Sequence, residues 1–157
     1  GTDLATAAPS AIAAGLAQAA PLLDRYLDEA MAARRLPAGH VALVGFSQGA
    51  MLALHVGLRR AEPLAAIVAF SGPLGAGDGF EAEVRAKPPV LMIHGESDPV
   101  IPAAQMAEAK ARLKSCGVPV KSMRRPGLGH AMDDDGIMAA GDFLAAHVVH
   151  KPAAASS

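Results

Sequence analysis

The sequence is poor in aromatic residues and in cysteine. It has no Trp, and aromatic side chains make up 3% of its 157 residues, although apolar residues as a class reach 52%, which is enough to build a core. The one cysteine, Cys116, excludes an internal disulfide and is typical of a reducing compartment. Because Cys116 precedes Gly117 at a predicted helix end, we expect a buried or half-buried structural thiol.

Charge and long apolar runs are also scarce. The formal net charge is −1, so the charge balance does not indicate nucleic acid or an acidic partner. The sequence has no apolar run long enough to cross a bilayer and does not start with a basic segment followed by an apolar one. We therefore expect no nucleic-acid partner and no stable membrane insertion.

Stretches with helical spacing alternate with short apolar runs. The predicted helices are Ser10 to about Arg35, Gln48 to about Arg60, Ala103–Cys116 and Asp135–Val149, with one or two further turns in Phe80–Ala86. The predicted strands are Val41–Phe46, Leu64–Phe70, Val90–His94 and Val120–Arg125. This order predicts an α/β fold with about four parallel strands and helices on both faces. The length suits a single domain at residues 1–150, with a disordered tail at 151–157.

Three details of the helices can be predicted from the same pattern. Ser10 is a candidate N-cap of the first helix, and Pro21 predicts a kink or a break near Gln18–Pro21. The residues expected to face the core are Met106, Ala109 and Leu113 in the fourth helical stretch, and Ile137, Phe143, Leu144 and Val148 in the last.

The segment Gly45-Phe46-Ser47-Gln48-Gly49 has the form G-x-S-x-G and stands between a predicted strand and a predicted helix. This context is typical of a nucleophile elbow, a tight turn that exposes the serine hydroxyl. We expect a strained backbone at Ser47, and glycines at both flanks so that strand and helix can approach each other. The backbone N–H of Gln48, at the helix start, is then free to stabilise developing negative charge as part of an oxyanion hole.

A nucleophilic serine needs a base, and the base needs an orienting carboxylate. On this fold the two partners should follow the elbow in the order acid, then histidine, at the ends of later strands. Asp98 follows the third strand and His130 follows the fourth. We predict that Ser47, His130 and Asp98 form a catalytic triad, with Glu96 as the alternative acid.

Other readings of these residues are weaker. His94 ends a strand and suits a structural hydrogen bond, whereas the remaining histidines lie at the wrong end of the sheet or on helices (His40, His55, His147 and His150). His94, Glu96 and His130 lack the spacing of metal ligands, so we predict no metal site. The segment 133–135 suits the acidic start of a helix, and the glycine-rich loop 71–79 lacks the Lys-Ser/Thr of a phosphate loop.

Taken together, four motifs resemble the phospholipase/carboxylesterase family of α/β-hydrolases, which includes bacterial carboxylesterases and acyl-protein thioesterases. These motifs are Gly45-Phe46-Ser47-Gln48-Gly49-Ala50, Phe70-Ser71-Gly72, His94-Gly95-x-x-Asp98-x-Val100-x-Pro102 and Gly127-x-Gly129-His130. The resemblance runs from about residue 10 to residue 149. It implies a cytoplasmic esterase or thioesterase without cofactor, often dimeric, with Ser47, Asp98 and His130 as its triad.

The sequence departs from this family at its start. Family members carry further strands and a His-Gly loop before the long helix, and that loop supplies the second oxyanion donor. We expect the chain to represent the C-terminal portion of the fold, with the elbow strand at a sheet edge. An apolar edge strand favours pairing, so we predict a homodimer that covers it.

The sequence therefore predicts a serine hydrolase that cleaves short-chain carboxylic esters or thioesters through an acyl-enzyme. Phe46 and Met132 are candidate substrate-binding residues. The alternative is a catalytically weak or inactive binding module that retains the triad without a complete oxyanion hole.

Overall fold

A computed structural model describes residues 9–75 and 79–148 of the protein, and one four-stranded parallel sheet forms its centre. The strands, in sheet order, are β1 (Ala42–Phe46), β2 (Ala66–Phe70), β3 (Val90–Gly95) and β4 (Val120–Arg125). The helices are α1 (Pro9–Arg34), α2 (Gln48–Arg59), α3 (Phe80–Glu83), α4 (Ala104–Ser115) and α5 (Asp134–His147), with a 3₁₀ turn at Ala38–His40. The predicted α/β class and the order of its elements are confirmed. The predicted tail, Val149 and residues 76–78 of the glycine-rich loop lie outside the described residues.

Helix α1 differs from its prediction in two respects. It begins at Pro9, so Ser10 lies inside the helix and not at its N-cap. It also runs through Pro21 without a break. Proline has no N–H, so Pro21 removes one helical hydrogen bond from α1. Packing against α2 offsets this loss, because Leu27 lies in a core cluster with Val56 and Leu23 packs against that cluster.

The two faces of the sheet are covered by different helices. Helices α2 and α4 bury Leu54 and Met106 against one face, which includes Ile67 and Met92. Helix α5 packs Ala140 and Phe143 on the other face, against β2 and β3. Strands covered on both sides explain why β2 and β3 are apolar at nearly every position.

The predicted inward face of the last helix is partly wrong. Phe143 is buried and Leu144 packs beside it, but the Ile137 side chain is 51% exposed. Gly136 and Ala140 face the sheet instead, and Gly136 sits close to Phe70 and Ile93. The absence of a side chain at Gly136 lets the start of α5 approach the sheet closely, and Ile137 is turned outward. The burial predicted for Met106, Ala109 and Leu113 is confirmed.

Strand β1 lies at one edge of the described sheet and pairs with β2 alone. Successive residues of a strand in a parallel ladder direct their backbone N–H and C=O groups alternately to one side and to the other. Val41 O and Ser47 N–H form hydrogen bonds on the β2 side, so the N–H and C=O of Val44 point away from the sheet. The Val44 side chain is 54% exposed. None of the described helices combines the length and the apolar character needed to cross a membrane.

The register aligns the carboxyl ends of all four strands. Phe46 is level with Phe70, Phe70 with Ile93, and Gly95 with Arg125. The segments that follow these residues therefore meet along one edge of the sheet, which is where ligands bind in open parallel sheets.

Candidate active site

Ser47 occupies a sharp turn between β1 and α2. Its backbone has φ 58° and ψ −118°, a conformation that non-glycine residues rarely adopt. The turn is fixed by hydrogen bonds, because Ser47 N–H donates to Phe70 O over 2.8 Å and Ser47 O accepts from Ala50 and Met51 N–H. The strained serine expected from the G-x-S-x-G segment is present.

The two flanking glycines are not equivalent. A methyl group at Gly45 would overlap the backbone of Gly49, so β1 and α2 can cross only if residue 45 lacks a side chain. A methyl group at Gly49 would meet nothing within 4 Å. The prediction that both glycines are needed for close approach is therefore right for Gly45 and wrong for Gly49, whose missing side chain would point into open space. Gly72, which follows β2, supports the same turn, because a methyl group there would overlap Ser47 O.

His130 reaches Ser47 from the loop that follows β4. Its Nε2 lies 2.9 Å from Ser47 Oγ, and its Nδ1 lies 2.8 Å from Asp98 Oδ2. The centroid of the Phe46 ring lies 5.0 Å from that of the imidazole, with the rings tilted by 45°. Because a carboxylate only accepts, a charged Asp98 selects the tautomer with hydrogen on Nδ1, and Nε2 is left to accept the Ser47 proton.

Asp98 is held by more than one partner. Its side chain is fully buried, and Oδ1 accepts hydrogen bonds from the backbone N–H groups of Val100 and Ile101, over 2.8 and 2.9 Å. Burial works to raise the pKa of this carboxyl, but the Ile101 N–H, the His130 ring and the Val100 N–H together hold the pKa below its ordinary value. Asp98 therefore carries its charge at neutral pH.

The loop that carries His130 is packed against the end of β3. A methyl group at Gly95 would overlap the carbonyl groups of Leu128 and Gly129. Ser97 N–H donates to Leu128 O over 2.9 Å. The loops that bear Asp98 and His130 are thus joined directly by backbone contacts.

A second set of contacts, not predicted from the sequence, anchors the other end of this loop. Arg125 Nε donates to Asp133 Oδ2 over 2.7 Å, and an Arg125 terminal nitrogen lies 2.9 Å from Asp135 Oδ2. Asp133 Oδ1 also caps α5 by accepting Gly136 N–H over 2.9 Å. The sequence motifs assign Arg125 no role. The signal that could have identified its role is an arginine at the last residue of β4 facing an acidic helix start across one short loop.

The other predicted residues take the following positions. Glu96, the alternative acid, is exposed, whereas Asp98 is buried beside His130. His94 is buried and its Nε2 lies 2.8 Å from Ile101 O, in agreement with a structural hydrogen bond. His40, His55 and His147 lie in the 3₁₀ turn, in α2 and at the end of α5, respectively, and His150 falls outside the described residues.

Gln48 and Met132 border the serine and the histidine in sequence. Gln48 is the first residue of α2, so its backbone N–H has no acceptor within the helix. The Met132 side chain is 47% exposed. Within residues 9–75 and 79–148, no group of three or more His, Cys, Asp or Glu side chains is placed to hold a metal ion.

Comparison with known proteins finds a matching family model and relatives over most of the chain. The family model for phospholipase/carboxylesterase proteins matches residues 2–148. An acyl-protein thioesterase 1 from Neurospora crassa is 36% identical over 115 residues, which cover 69% of this chain and 46% of the relative. Another acyl-protein thioesterase 1, from Schizosaccharomyces pombe, is 28% identical over 130 residues, which cover 80% of this chain and 57% of the relative. The chain spans about half the length of these curated relatives.

Solved structures resemble the fold over most of the chain. Esterase PE8 superposes with a TM-score of 0.88 at 42% identity, covering 92% of this chain and 67% of that chain. The Bacillus cereus carboxylesterase gives a TM-score of 0.74 at 19% identity, covering 84% of this chain and 61% of that chain, which is a likeness of fold alone.

Proposed function

The chain belongs to the phospholipase/carboxylesterase family, and from this premise we propose that it is a serine hydrolase of carboxylic esters or thioesters. The observation that carries the proposal is the hydrogen-bonded chain from Ser47 Oγ through His130 to Asp98, with distances of 2.9 and 2.8 Å. A partly buried elbow serine, a histidine within reach of its hydroxyl and a buried carboxylate behind the histidine are the parts that nucleophilic acyl transfer requires.

The proposed reaction has two halves. His130 Nε2 removes the Ser47 proton as Oγ attacks the acyl carbon, and the same proton then passes to the departing alcohol or thiol as the acyl bond to it breaks. Water next attacks the acyl-serine and gives a proton to His130, which returns it to Ser47 Oγ as the acyl–Oγ bond breaks and the carboxylic acid leaves. Asp98 keeps the ring oriented and stabilises the imidazolium in both halves.

Oxyanion stabilisation is assigned to the backbone N–H of Gln48. A single donor is an incomplete oxyanion hole, and the loss of one donor typically lowers turnover by about a hundred- to a thousandfold. With Gln48 N–H as the one donor assigned among the described residues, the proposal predicts slow turnover, which a second donor from a partner chain or from a side chain such as that of Gln48 would raise.

The substrate preference follows from the openness of the site. In its described residues, the connection from β2 to β3 carries one short helix, α3, which leaves little room for a lid domain over Ser47. An open site favours short or protruding acyl groups, with Phe46 and Met132 proposed to contact the acyl chain. The preferred substrates in this proposal are short-chain esters and thioesters.

Two further features belong to the proposal. We place the protein in the cytoplasm, on the ground of its lone cysteine, and we propose a homodimer in which a second copy covers the apolar edge of β1. Support for the dimer comes from the outward-pointing backbone groups and the exposed side chain of Val44.

The alternative function is a binding module that keeps the Ser47–His130–Asp98 arrangement without turnover. This alternative predicts a folded protein that does not release product.

Hydrolysis of p-nitrophenyl acetate, butyrate and octanoate by the purified chain and by Ser47→Ala tests the proposal. We expect turnover that is fastest on acetate or butyrate and is lost in Ser47→Ala, while the circular dichroism of the two proteins agrees. Equal rates in the two proteins would show that the hydrolysis does not depend on Ser47. Fastest turnover on octanoate would overturn the short-chain preference.

A further inference from the structure

His94 contacts the carboxylate that the proposed mechanism uses to orient His130. The side chain of His94 is 1% exposed and that of Asp98 is 0% exposed, so water does not separate or screen them. Nε2 of His94 lies 2.8 Å from Ile101 O and 3.3 Å from Asp98 Oδ2. The same Oδ2 accepts from His130 Nδ1 over 2.8 Å, so two imidazole rings converge on one carboxylate oxygen.

The hydrogen position on His94 follows from its nearest partner. A backbone carbonyl can only accept, so the contact with Ile101 O requires a hydrogen on Nε2 of His94. The polarised N–H therefore presents its positive end to Ile101 O and, at slightly greater distance, to Asp98 Oδ2. This charge distribution adds to the stabilisation that the ionised form of Asp98 receives from the N–H groups of Val100 and Ile101 and from His130.

The contacts also form a closed ring around Ile101. The N–H of Ile101 donates to Asp98 Oδ1 over 2.9 Å, while its carbonyl group accepts from His94. Ile101 itself is 3% exposed and packs in a cluster with Leu16 and Met51. His94, which lies near the end of the central strand β3, thus holds Ile101 in place, and Ile101 in turn holds Asp98.

We propose that His94 is a positioning residue for the reaction, one that holds Asp98 in the orientation needed to support His130 and offsets part of its charge. The inference rests on the proposed hydrolase function. It gives His94 no contact with substrate, so its effect should fall on turnover and on the pH profile, and substrate binding should be unaffected.

Two variants of similar side-chain length separate this role from simple packing. His94→Gln can place an amide N–H near the position of the imidazole Nε2, whereas His94→Met fills similar space without a donor. We expect His94→Met to lower kcat by roughly ten- to a hundredfold at little change in KM, as for a small misplacement of a catalytic group. His94→Gln should recover most of that loss.

The pH profile of kcat/KM provides a readout that a packing role would not change. Without the His94 N–H, the charge on Asp98 is less offset and favours the imidazolium form of His130, which cannot accept the Ser47 proton. The acid-side midpoint of the profile should therefore move to higher pH in His94→Met and return toward the parent in His94→Gln. If His94→Met and His94→Gln lost the same factor in kcat and neither shifted the midpoint of the pH profile, the proposal would be overturned.

A measurement without turnover keeps this inference separate from the hydrolase proposal. In protein labelled with ¹⁵N-histidine, the Nδ1 proton of His130 that is bonded to Asp98 should give a downfield NMR signal in the parent and in His94→Gln. The signal should broaden or disappear in His94→Met, and a signal of parental intensity there would contradict the positioning role. If His94→Met does not fold, His94→Asn, whose shorter amide cannot reach Ile101 O, takes its place with the same expectation.

Discussion

At the scale of single residues, the decisive feature is the environment of Asp98. Two carboxylates, Glu96 and Asp98, stand two positions apart after β3, and their sequence context does not separate them fully. The structure separates them by burial, since Glu96 is exposed whereas Asp98 is enclosed and accepts hydrogen bonds from Val100, Ile101 and His130. A charged group in such a place must be paired, because an unpaired buried charge costs several kcal/mol, on the order of 3–5.

The lowered pKa of Asp98 makes a prediction about stability and pH. Because the folded pKa lies below the ordinary value of 3.8, the unfolded chain binds the proton more readily, and folding is favoured where Asp98 is ionised. This contribution is complete above the unfolded pKa and is lost as pH falls through the folded pKa. Asp98→Asn should therefore be less stable than the parent at pH 7, by about 1–3 kcal/mol, and the difference should shrink below about pH 4.

Urea unfolding of the parent and of Asp98→Asn between pH 3 and pH 7 measures this difference. Glu96→Gln is the matched control, because the same change of charge at an exposed neighbour should leave the unfolding free energy near that of the parent. At pH 7 we also expect Asp98→Asn to lose about 10⁴-fold in kcat, since the amide no longer selects the productive tautomer of His130. A stability difference that stays constant down to pH 3 would contradict the assigned pKa shift.

At the scale of elements, the order of strands and helices could be predicted from the sequence, and the details of packing could not. Apolar runs such as Ala66–Phe70 identify buried parallel strands because both of their faces are covered. Of the kink or break predicted near Pro21, the break is absent because α1 packs against α2, and the exposure of Ile137 depends on how closely Gly136 approaches the sheet. Both errors arise where tertiary contacts outweigh a local preference.

In the candidate site, too, the sequence motifs predicted some features, whereas other features depend on tertiary contacts. The G-x-S-x-G segment and the order of acid and histidine predicted that Ser47, Asp98 and His130 would meet, and the structure brings the three side chains together because the ends of parallel strands lie at one edge. The contact of His94 with Asp98 and the pairing of Arg125 with Asp133 could not be predicted, since they depend on the paths of two loops.

The junction between β3 and the loop carrying His130 predicts a strong effect of one methyl group. In Gly95→Ala, the added methyl would overlap the carbonyl groups of Leu128 and Gly129, and backbone atoms yield less readily than the ends of flexible side chains. Moving this loop would displace His130, so we expect kcat to fall by about a hundredfold, with a loss of stability of about 1–3 kcal/mol.

Ester hydrolysis and thermal unfolding of Gly95→Ala test that expectation. Gly39→Ala serves as the control, because a methyl group at Gly39 meets nothing within 4 Å and should leave kcat near the parent value. Parental kcat in Gly95→Ala would mean that the loop can move without displacing the imidazole.

At the scale of the whole molecule, the edge of the sheet predicts association. Strand β1 is apolar, pairs on one side only within the described sheet, and exposes Val44. If a second copy pairs there, the two Val44 side chains come close together, and Val44→Lys would place like charges side by side. We expect the parent to be dimeric at micromolar concentration and Val44→Lys to be monomeric.

Analytical ultracentrifugation of the parent, Val44→Lys and Leu22→Lys measures this directly. Leu22 is exposed on α1, so the same substitution there should leave the mass of the dimer unchanged. A stable monomer for the parent would rule out the homodimer, and dissociation by Leu22→Lys alone would place the interface on α1.

The central claim is that Ser47 is a nucleophile activated by His130, and the acyl-enzyme is its most direct test. Intact mass spectrometry of the chain, quenched in acid shortly after mixing with p-nitrophenyl acetate, should show one added acetyl group, located on Ser47 by peptide mapping. The acetyl group should be absent in Ser47→Ala and strongly reduced in His130→Ala. An unmodified Ser47, or acetylation that persists at the same rate in His130→Ala, would contradict the account.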